Sequence, residues 1–110
     1  MMSDMPTERP ANPLRGEASL AIAGSTYTLR PSFEALVAAE EELGSLFAMV
    51  ERASTGSLAI SEMAALLWHC LPLDGRPPRN LVGAALLEIG LVEATKPLRA
   101  ILAQVLKGRA

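Results

Sequence analysis

A stretch with period-two alternation between residues 18 and 30 is the feature that most constrains the fold of this chain. Its sequence is Ala-Ser-Leu-Ala-Ile-Ala-Gly-Ser-Thr-Tyr-Thr-Leu-Arg, in which large apolar side chains alternate with small or polar ones around Gly24. A two-residue turn at Gly24 and Ser25 would pair residue 22 with 27 and residue 20 with 29. In that register, one face of a β-hairpin carries four large apolar side chains, which are Leu20, Ile22, Tyr27 and Leu29.

The segments after the hairpin show only helical patterns. Pro31 stops the second strand, and Ser32 is a candidate N-cap for the first helix. Thr95 is the candidate N-cap of the last helix, because Pro97 would then lie in the first turn, where its missing N–H costs nothing. Cap signals and apolar periodicity predict helices at about 33–43, 46–53, 62–71, 81–89 and 96–107.

These elements define the fold class and the domain organisation. A lone hairpin is marginal in water, so its apolar face must pack on the helices. The predicted class is α+β, mainly α, with an N-terminal β-hairpin followed by a bundle of four to five short helices. Residues 14–110 form a single domain, whereas residues 1–13, with three prolines and few buriable side chains, are expected to be a disordered tail.

Charge and hydropathy argue against two classes of ligand. The formal net charge is −2 and the basic residues are scattered, so no stripe of arginine and lysine exists to follow a phosphate backbone, and we expect no nucleic acid partner. The apolar run at 63–70 is far shorter than the ~20 residues that span a bilayer, so we expect no membrane partner either.

Few residues offer chemistry. His69 and Cys70 are sequence neighbours, and adjacent side chains on a helix diverge by about 100°, so they cannot act together as base and nucleophile. A structural metal site needs about four ligands, and the sequence holds no other histidine or cysteine. The acidic cluster at 40–42 fans around its helix and favours a solvated face. We therefore predict no catalytic residues, no metal, no cofactor and no enzymatic activity.

The apolar helical stripes are ambiguous between core and interface. One stripe lies near the start of the first helix and another covers the last helix. A single stripe of this kind is more often core than interface. Together, however, five helices and a hairpin face offer more apolar surface than a domain of this size readily hides, which indicates a groove for a partner helix.

An ordered series of motifs carries a family resemblance. The series comprises Asn12-Pro-Leu-Arg-Gly-Glu17, the hairpin, Leu29-Arg-Pro-Ser-Phe-Glu-Ala-Leu36, Glu40-Glu-Glu-Leu-Gly44 and Gly56-Ser-Leu58. Over residues 12–72 it resembles the gene transfer agent family of small phage tail proteins. Members of that family are regarded as tail assembly chaperones, encoded between the tail tube protein and the tape measure protein.

The resemblance implies a phage or prophage tail assembly chaperone in the cytoplasm of the bacterial host. Its partner would be the tape measure protein or another tail protein, whose apolar helices would aggregate before tube subunits wrap them. The family motif Arg15, Gly16 and Glu17 is expected to be structural, pinning the base of the hairpin. From pattern alone, the candidate partner-binding residues are Phe33, Leu36, Val37, Leu98, Ile101, Leu102, Val105 and Leu106.

Other functions stay open on the sequence. The unpaired edges of the hairpin could pair with a partner strand or with another copy, which would give self-association. A permanent structural component of a phage tail or head-tail connector is the main alternative to a chaperone. A small helical DNA-binding regulator is the second, although the acidic charge balance argues against it.

Overall fold

The computed structural model of the protein describes residues 17–107. Strands β1 (Ala18–Ile22) and β2 (Ser25–Leu29) form a two-stranded antiparallel sheet. Five helices follow, which are α1 (Phe33–Leu43), α2 (Leu46–Ser54), α3 (Ile60–His69), α4 (Arg79–Ile89) and α5 (Leu91–Lys107). The predicted class, a hairpin followed by a mainly helical body, is confirmed. The expected tail at 1–13 lies outside the described residues, as do Arg15 and Gly16.

The hairpin turns at Ala23 and Gly24, so the predicted turn at Gly24 and Ser25 is wrong. Both turn residues have positive φ, 51° and 83°, as a type I′ turn requires, and the turn pairs Leu20 with Tyr27. The observed register differs from the predicted one by two residues. Because side chains alternate with period two, that shift leaves the large apolar side chains on one face.

Helix α3 is the centre of the core. It packs against α1 and α4 and buries five consecutive residues, 63–67, which matches a helix that is apolar nearly all round. The hairpin packs through β1 against α4 and α5. At the end of β2, the Arg30 N–H donates to the Cys70 carbonyl at 2.8 Å, so the hairpin is also tied to the end of α3.

A compact junction fixes α2 relative to α1. Gly44, with φ of 88°, ends α1, and the Ser45 hydroxyl accepts a hydrogen bond from the Ala48 N–H at 3.2 Å to cap α2. The Glu40 carboxylate, from the last turns of α1, accepts a second bond from the Leu46 N–H at 3.0 Å. Two of the free N–H groups of α2 are thereby satisfied, one of them by the preceding helix.

The later helices begin earlier than the sequence predicts. In α3 the start moves to Ile60, because the Glu62 carboxylate accepts a hydrogen bond from the Ala59 N–H at 3.0 Å. In α4 the N-cap is Pro78, so the helix starts at Arg79, two residues before the predicted start at 81.

The predicted cap at Thr95 is also wrong, because α5 already starts at Leu91. Gly90, with φ of 89°, ends α4 and leads directly into α5. The Thr95 hydroxyl donates to the Val92 carbonyl at 2.6 Å inside the helix, and Pro97 is an interior residue. Proline inside a helix costs about 3 kcal/mol. The burial of Ala94, Leu98 and Ile101 along the same helix offsets that cost.

The turn geometry can be tested by replacing Ala23 with asparagine. Because Asn adopts the left-handed region more readily than Ala and Asn-Gly is favoured in type I′ turns, Ala23→Asn should raise the free energy of unfolding by about 0.5–1 kcal/mol. Urea denaturation followed by circular dichroism measures the change. Ser25→Asn, at the next exposed position, should have no stabilising effect. Stabilisation by Ser25→Asn alone would instead place the turn at Gly24 and Ser25.

Candidate partner-binding surface

Five of the eight predicted partner-binding residues line one groove on the surface. This apolar groove has a volume of about 460 Å³ and lies between α1, α2 and the end of α5. Its lining residues are Phe33, Leu36, Val37, Glu40, Leu46, Phe47, Val50, Val105 and Leu106. The sequence prediction therefore identifies two of its three walls, the stripe on α1 and the last turn of α5.

Helix α1 exposes part of its apolar stripe, because Phe33 and Val37 face solvent while Leu36 packs partly against the core. Phe33, Leu36, Val37 and Glu40 have the spacing i, i+3, i+4, i+7 of a single helical face, and Phe33 is 79% exposed. The one fully buried residue of α1 is Ala39, which lies away from that stripe. A surface helix ordinarily packs its whole apolar stripe inward, so the outward Phe33 and Val37 depart from the usual arrangement.

The second wall of the groove comes from α2 and was not predicted as a binding surface. Leu46 and Met49 are buried in the core, whereas Phe47 is 67% exposed and faces the groove. The signal in the sequence is an excess of apolar positions, since residues 46, 47, 49, 50 and 53 are more than one face of a nine-residue helix can bury. Phe47, the largest of these side chains, is the one exposed to solvent.

Helix α5 divides its apolar stripe between the interior and the groove. Leu98, Ile101 and Leu102 are buried in the core, so they are not accessible to a partner in this conformation. One turn later Val105 is half-buried and Leu106 is 51% exposed. The prediction treated the five residues as one surface, but the helix extends beyond the core and only its last turn reaches the groove.

Glu17 is the residue of the family motif that the structure describes, and its side chain is buried. Arg30 Nε lies 3.5 Å from Glu17 Oε2, so the pair joins the residue before β1 to the residue after β2. Glu17 lies at the base of the hairpin and away from the apolar groove, which is lined by helices alone.

A polar cluster on the other side of α1 links this helix to its neighbours. The Glu42 carboxylate accepts hydrogen bonds from His69 Nε2 at 2.8 Å and from Arg79 Nη2 at 2.9 Å, with Arg79 Nη1 as a third donor. These hydrogen bonds, first that of Arg79 and then that of His69, lower the pKa of Glu42 below its usual value. The cluster joins α1 to both α3 and α4.

Trp68 extends the polar cluster into the segment before α4. The guanidinium groups of Arg76 and Arg79 lie 4.3 and 4.4 Å from the centre of the Trp68 ring. Trp68 Nε1 donates to the Pro77 carbonyl at 3.0 Å. The connection between α3 and α4 is thereby fixed to the core, and the polar side of α1 is fixed to that connection through Arg79.

The residues that could carry chemistry serve the structure. Cys70 is buried, and desolvation raises the pKa of its thiol to about 12, so it is a neutral thiol at physiological pH. His69 is engaged with Glu42. Within residues 17–107, no three histidine, cysteine or acidic side chains are grouped closely enough to hold a metal ion. None of the helices described for this chain has the length and apolarity to cross a bilayer.

Comparison with known families places the chain among the proteins of phage tails. Residues 15–108 match the family described as phage tail tube protein, GTA-gp10, and because the match spans most of the chain, the protein belongs to that family. The predicted relation to phage and gene transfer agent tails is thus confirmed. The match continues through α4 and α5, beyond the residues 12–72 that carry the motifs. No curated protein and no solved structure matches the chain.

The division between groove and core predicts different stabilities for two variants. Phe33→Ser should change the free energy of unfolding by less than about 0.5 kcal/mol, because the ring is exposed. Leu102→Ala should lower it by about 2–4 kcal/mol, because the side chain is buried. Thermal or urea denaturation measures both. A loss at Phe33 as large as the loss at Leu102 would mean that α1 buries its stripe.

The polar cluster predicts a pH-dependent contribution to stability. Glu42 has a lowered pKa in the folded protein, so its stabilisation is present above the unfolded value near 4.5 and is lost as the pH falls through the folded value. Glu42→Gln should therefore cost on the order of 1 kcal/mol at pH 7 and less at pH 3.5. Glu41→Gln, at the exposed neighbouring position, is the control. Equal losses for the two variants at pH 7 would contradict a special role for Glu42.

Proposed function

We propose that this phage tail protein is a tail assembly chaperone that binds the tape measure protein in the host cytoplasm before the tail tube polymerises. The observation that carries the proposal is the apolar groove, in which α1 and α2 expose Phe33 and Phe47 instead of burying them. Exposed aromatic and aliphatic side chains gathered in one concave surface are typical of a binding site for a protein partner.

The groove fits a helix better than an extended strand. Side chains from three helices line it, and the backbone N–H and C=O groups of those helices are used within them. A strand would need main-chain partners that such walls do not provide, whereas a helix satisfies its own backbone. The stripe from Phe33 to Glu40 spans about 10 Å, which corresponds to two helical turns of an occupant.

The biological need for such a groove follows from the expected partner. A tape measure protein is long and helical, with apolar surface that stays uncovered until tube subunits wrap it, so it is prone to aggregate beforehand. Many copies of a small protein, each binding one short segment weakly, can cover a long chain collectively. The same weakness lets the growing tube displace them one at a time.

A second candidate is a permanent component of the tail. The description of the family as a tail tube protein favours it, and the hairpin offers two outer strand edges for pairing with neighbouring subunits. This candidate predicts a fixed number of copies in every finished particle, whereas a chaperone should be absent from purified particles.

Co-expression with the long helical tail protein tests the proposal. The wild-type chain should raise the soluble yield of that protein several-fold and co-purify with it. Phe33→Ser combined with Phe47→Ser should abolish both effects, because the two rings are the largest side chains of the groove. Leu73→Ser is a matched control, since Leu73 is an equally exposed large apolar residue outside the groove.

The outcomes separate the candidates. No gain in solubility and no complex with the wild-type chain, together with stoichiometric copies in purified particles, would replace the chaperone by the structural component. Full solubilisation by the double variant, with the tail protein still bound, would keep the chaperone function and move its binding site away from the groove.

A further inference from the structure

The two helices that form most of the apolar groove carry an excess of negative charge. Helix α1 has four glutamates and neither lysine nor arginine, while α2 has Glu51 and Arg52. Arg52 is already paired with Glu62 of α3. Glu42 is likewise bound by Arg79 on the other side of α1. The carboxylates that remain on these two helices are those of Glu34, Glu40, Glu41 and Glu51.

These four carboxylates have no cationic partner in the protein. Among residues 17–107, none of them forms an ion pair with a lysine, arginine or histidine. Within the same range only two further carboxylates lack such a pair, those of Asp74 and Glu88, and both lie outside α1 and α2. The negative charge that the fold leaves uncompensated is therefore concentrated on the helices of the groove.

Three of the four carboxylates lie at the groove or one helical turn from its apolar side chains. Glu40 lines the groove itself. Glu41 follows Val37 by four residues on α1, and all of these side chains are exposed. Glu51 follows Phe47 by four residues on α2 in the same way. We define the acidic rim of the groove as Glu40, Glu41 and Glu51.

The third wall of the groove, the end of α5, supplies little positive charge. Residues 100–106 contain no lysine or arginine, and Arg99 lies seven residues before Leu106, about 10 Å along the helix. Lys107 and Arg109 follow Leu106 in the sequence. Even with both of them at the groove, the four carboxylates of α1 and α2 would exceed them by two. The groove thus combines apolar walls with net negative charge.

We propose that the occupant of the apolar groove is a basic amphipathic helix, with lysine or arginine one turn away from its apolar anchors. The anchors cover Phe33 and Phe47, and the flanking cations face the acidic rim. Apolar burial supplies the affinity, while opposite charge speeds the encounter and disfavours helices with acidic flanks. This inference rests on the proposed chaperone function and specifies which segments of the tail protein the groove binds.

Three synthetic peptides test the charge preference. Each has about eighteen residues, with the same leucine and phenylalanine anchors on one helical face, and they differ only in flanking residues, which are lysine, glutamine or glutamate. Fluorescence anisotropy of the labelled peptides measures their binding to the full-length chain. At about 50 mM salt the lysine peptide should bind about tenfold more tightly than the glutamine peptide and about a hundredfold more tightly than the glutamate peptide. At about 500 mM salt these ratios should shrink to about threefold or less, because salt screens the charges.

Matched charge variants locate the preference on the protein. Glu41→Gln combined with Glu51→Gln should weaken binding of the lysine peptide about three- to tenfold at low salt and leave the glutamine peptide unchanged. Both side chains are exposed and bind no other described side chain, so the fold is retained, which circular dichroism verifies. Asp74→Asn combined with Glu88→Gln makes the same change in charge outside the groove and should alter the affinity by less than about twofold.

Three results would overturn the proposal. One is equal affinity for the three peptides, and another is no binding of the lysine peptide up to about 1 mM. The third is lysine-peptide binding that persists in Phe33→Ser combined with Phe47→Ser, which would indicate attraction by charge without docking in the groove. Solubilisation of the tail protein together with equal peptide affinities would keep the chaperone function and reject this inference. The lysine preference without solubilisation would do the reverse.

Discussion

The hydrogen bonds of Glu42 with His69 and Arg79 are the interaction on which the surface of this protein depends. They attach the polar side of α1 to α3 and α4. Glu42 lies on the opposite side of α1 from Phe33 and Val37. Because Glu42 faces α3 and α4, Phe33 and Val37 face outward. The apolar groove thus lies on the side of α1 opposite to an ion pair and a histidine contact, which attach the helix to α3 and α4.

The hairpin could be predicted because the pattern that defines it lies within thirteen consecutive residues, 18–30, and because its apolar face does not change when the register shifts by two residues. Leu20, Ile22, Tyr27 and Leu29 keep to one face under any register shift of two residues, so the face was assigned correctly although the turn was not. The turn itself depended on Ala23 adopting positive φ, a conformation that alanine seldom takes and that no composition rule favours. The predicted fold class is correct despite this error, whereas the predicted residue pairs across the strands are wrong.

The groove was predictable only in part because periodicity gives the direction of a stripe within a helix but not the direction of the helix within the bundle. The α1 stripe was identified as an entire unit, yet which of its residues are exposed depends on tertiary contacts of α1, such as those of Glu42 with partners 27 and 37 residues away in sequence. The α5 stripe was likewise identified, but the point at which it leaves the core depends on how far the other elements extend. The start of α5 was missed because Pro97 suggested an N-terminal position, and tertiary burial outweighed that local preference.

Trp68, the one tryptophan of the chain, lies against two arginine side chains on the polar side of the bundle. The fluorescence of its indole responds to the charges of Arg76 and Arg79 and to the hydrogen bond with Pro77. These residues belong to the scaffold, which is the polar side of the bundle opposite the groove. The groove, by contrast, is lined by phenylalanine and aliphatic residues together with Glu40, and contains no tryptophan. The intrinsic fluorescence of this protein thus observes the scaffold and not the binding surface. A partner that fills the groove without disturbing the scaffold would leave the emission unchanged, and any change on binding would report that the scaffold itself had moved.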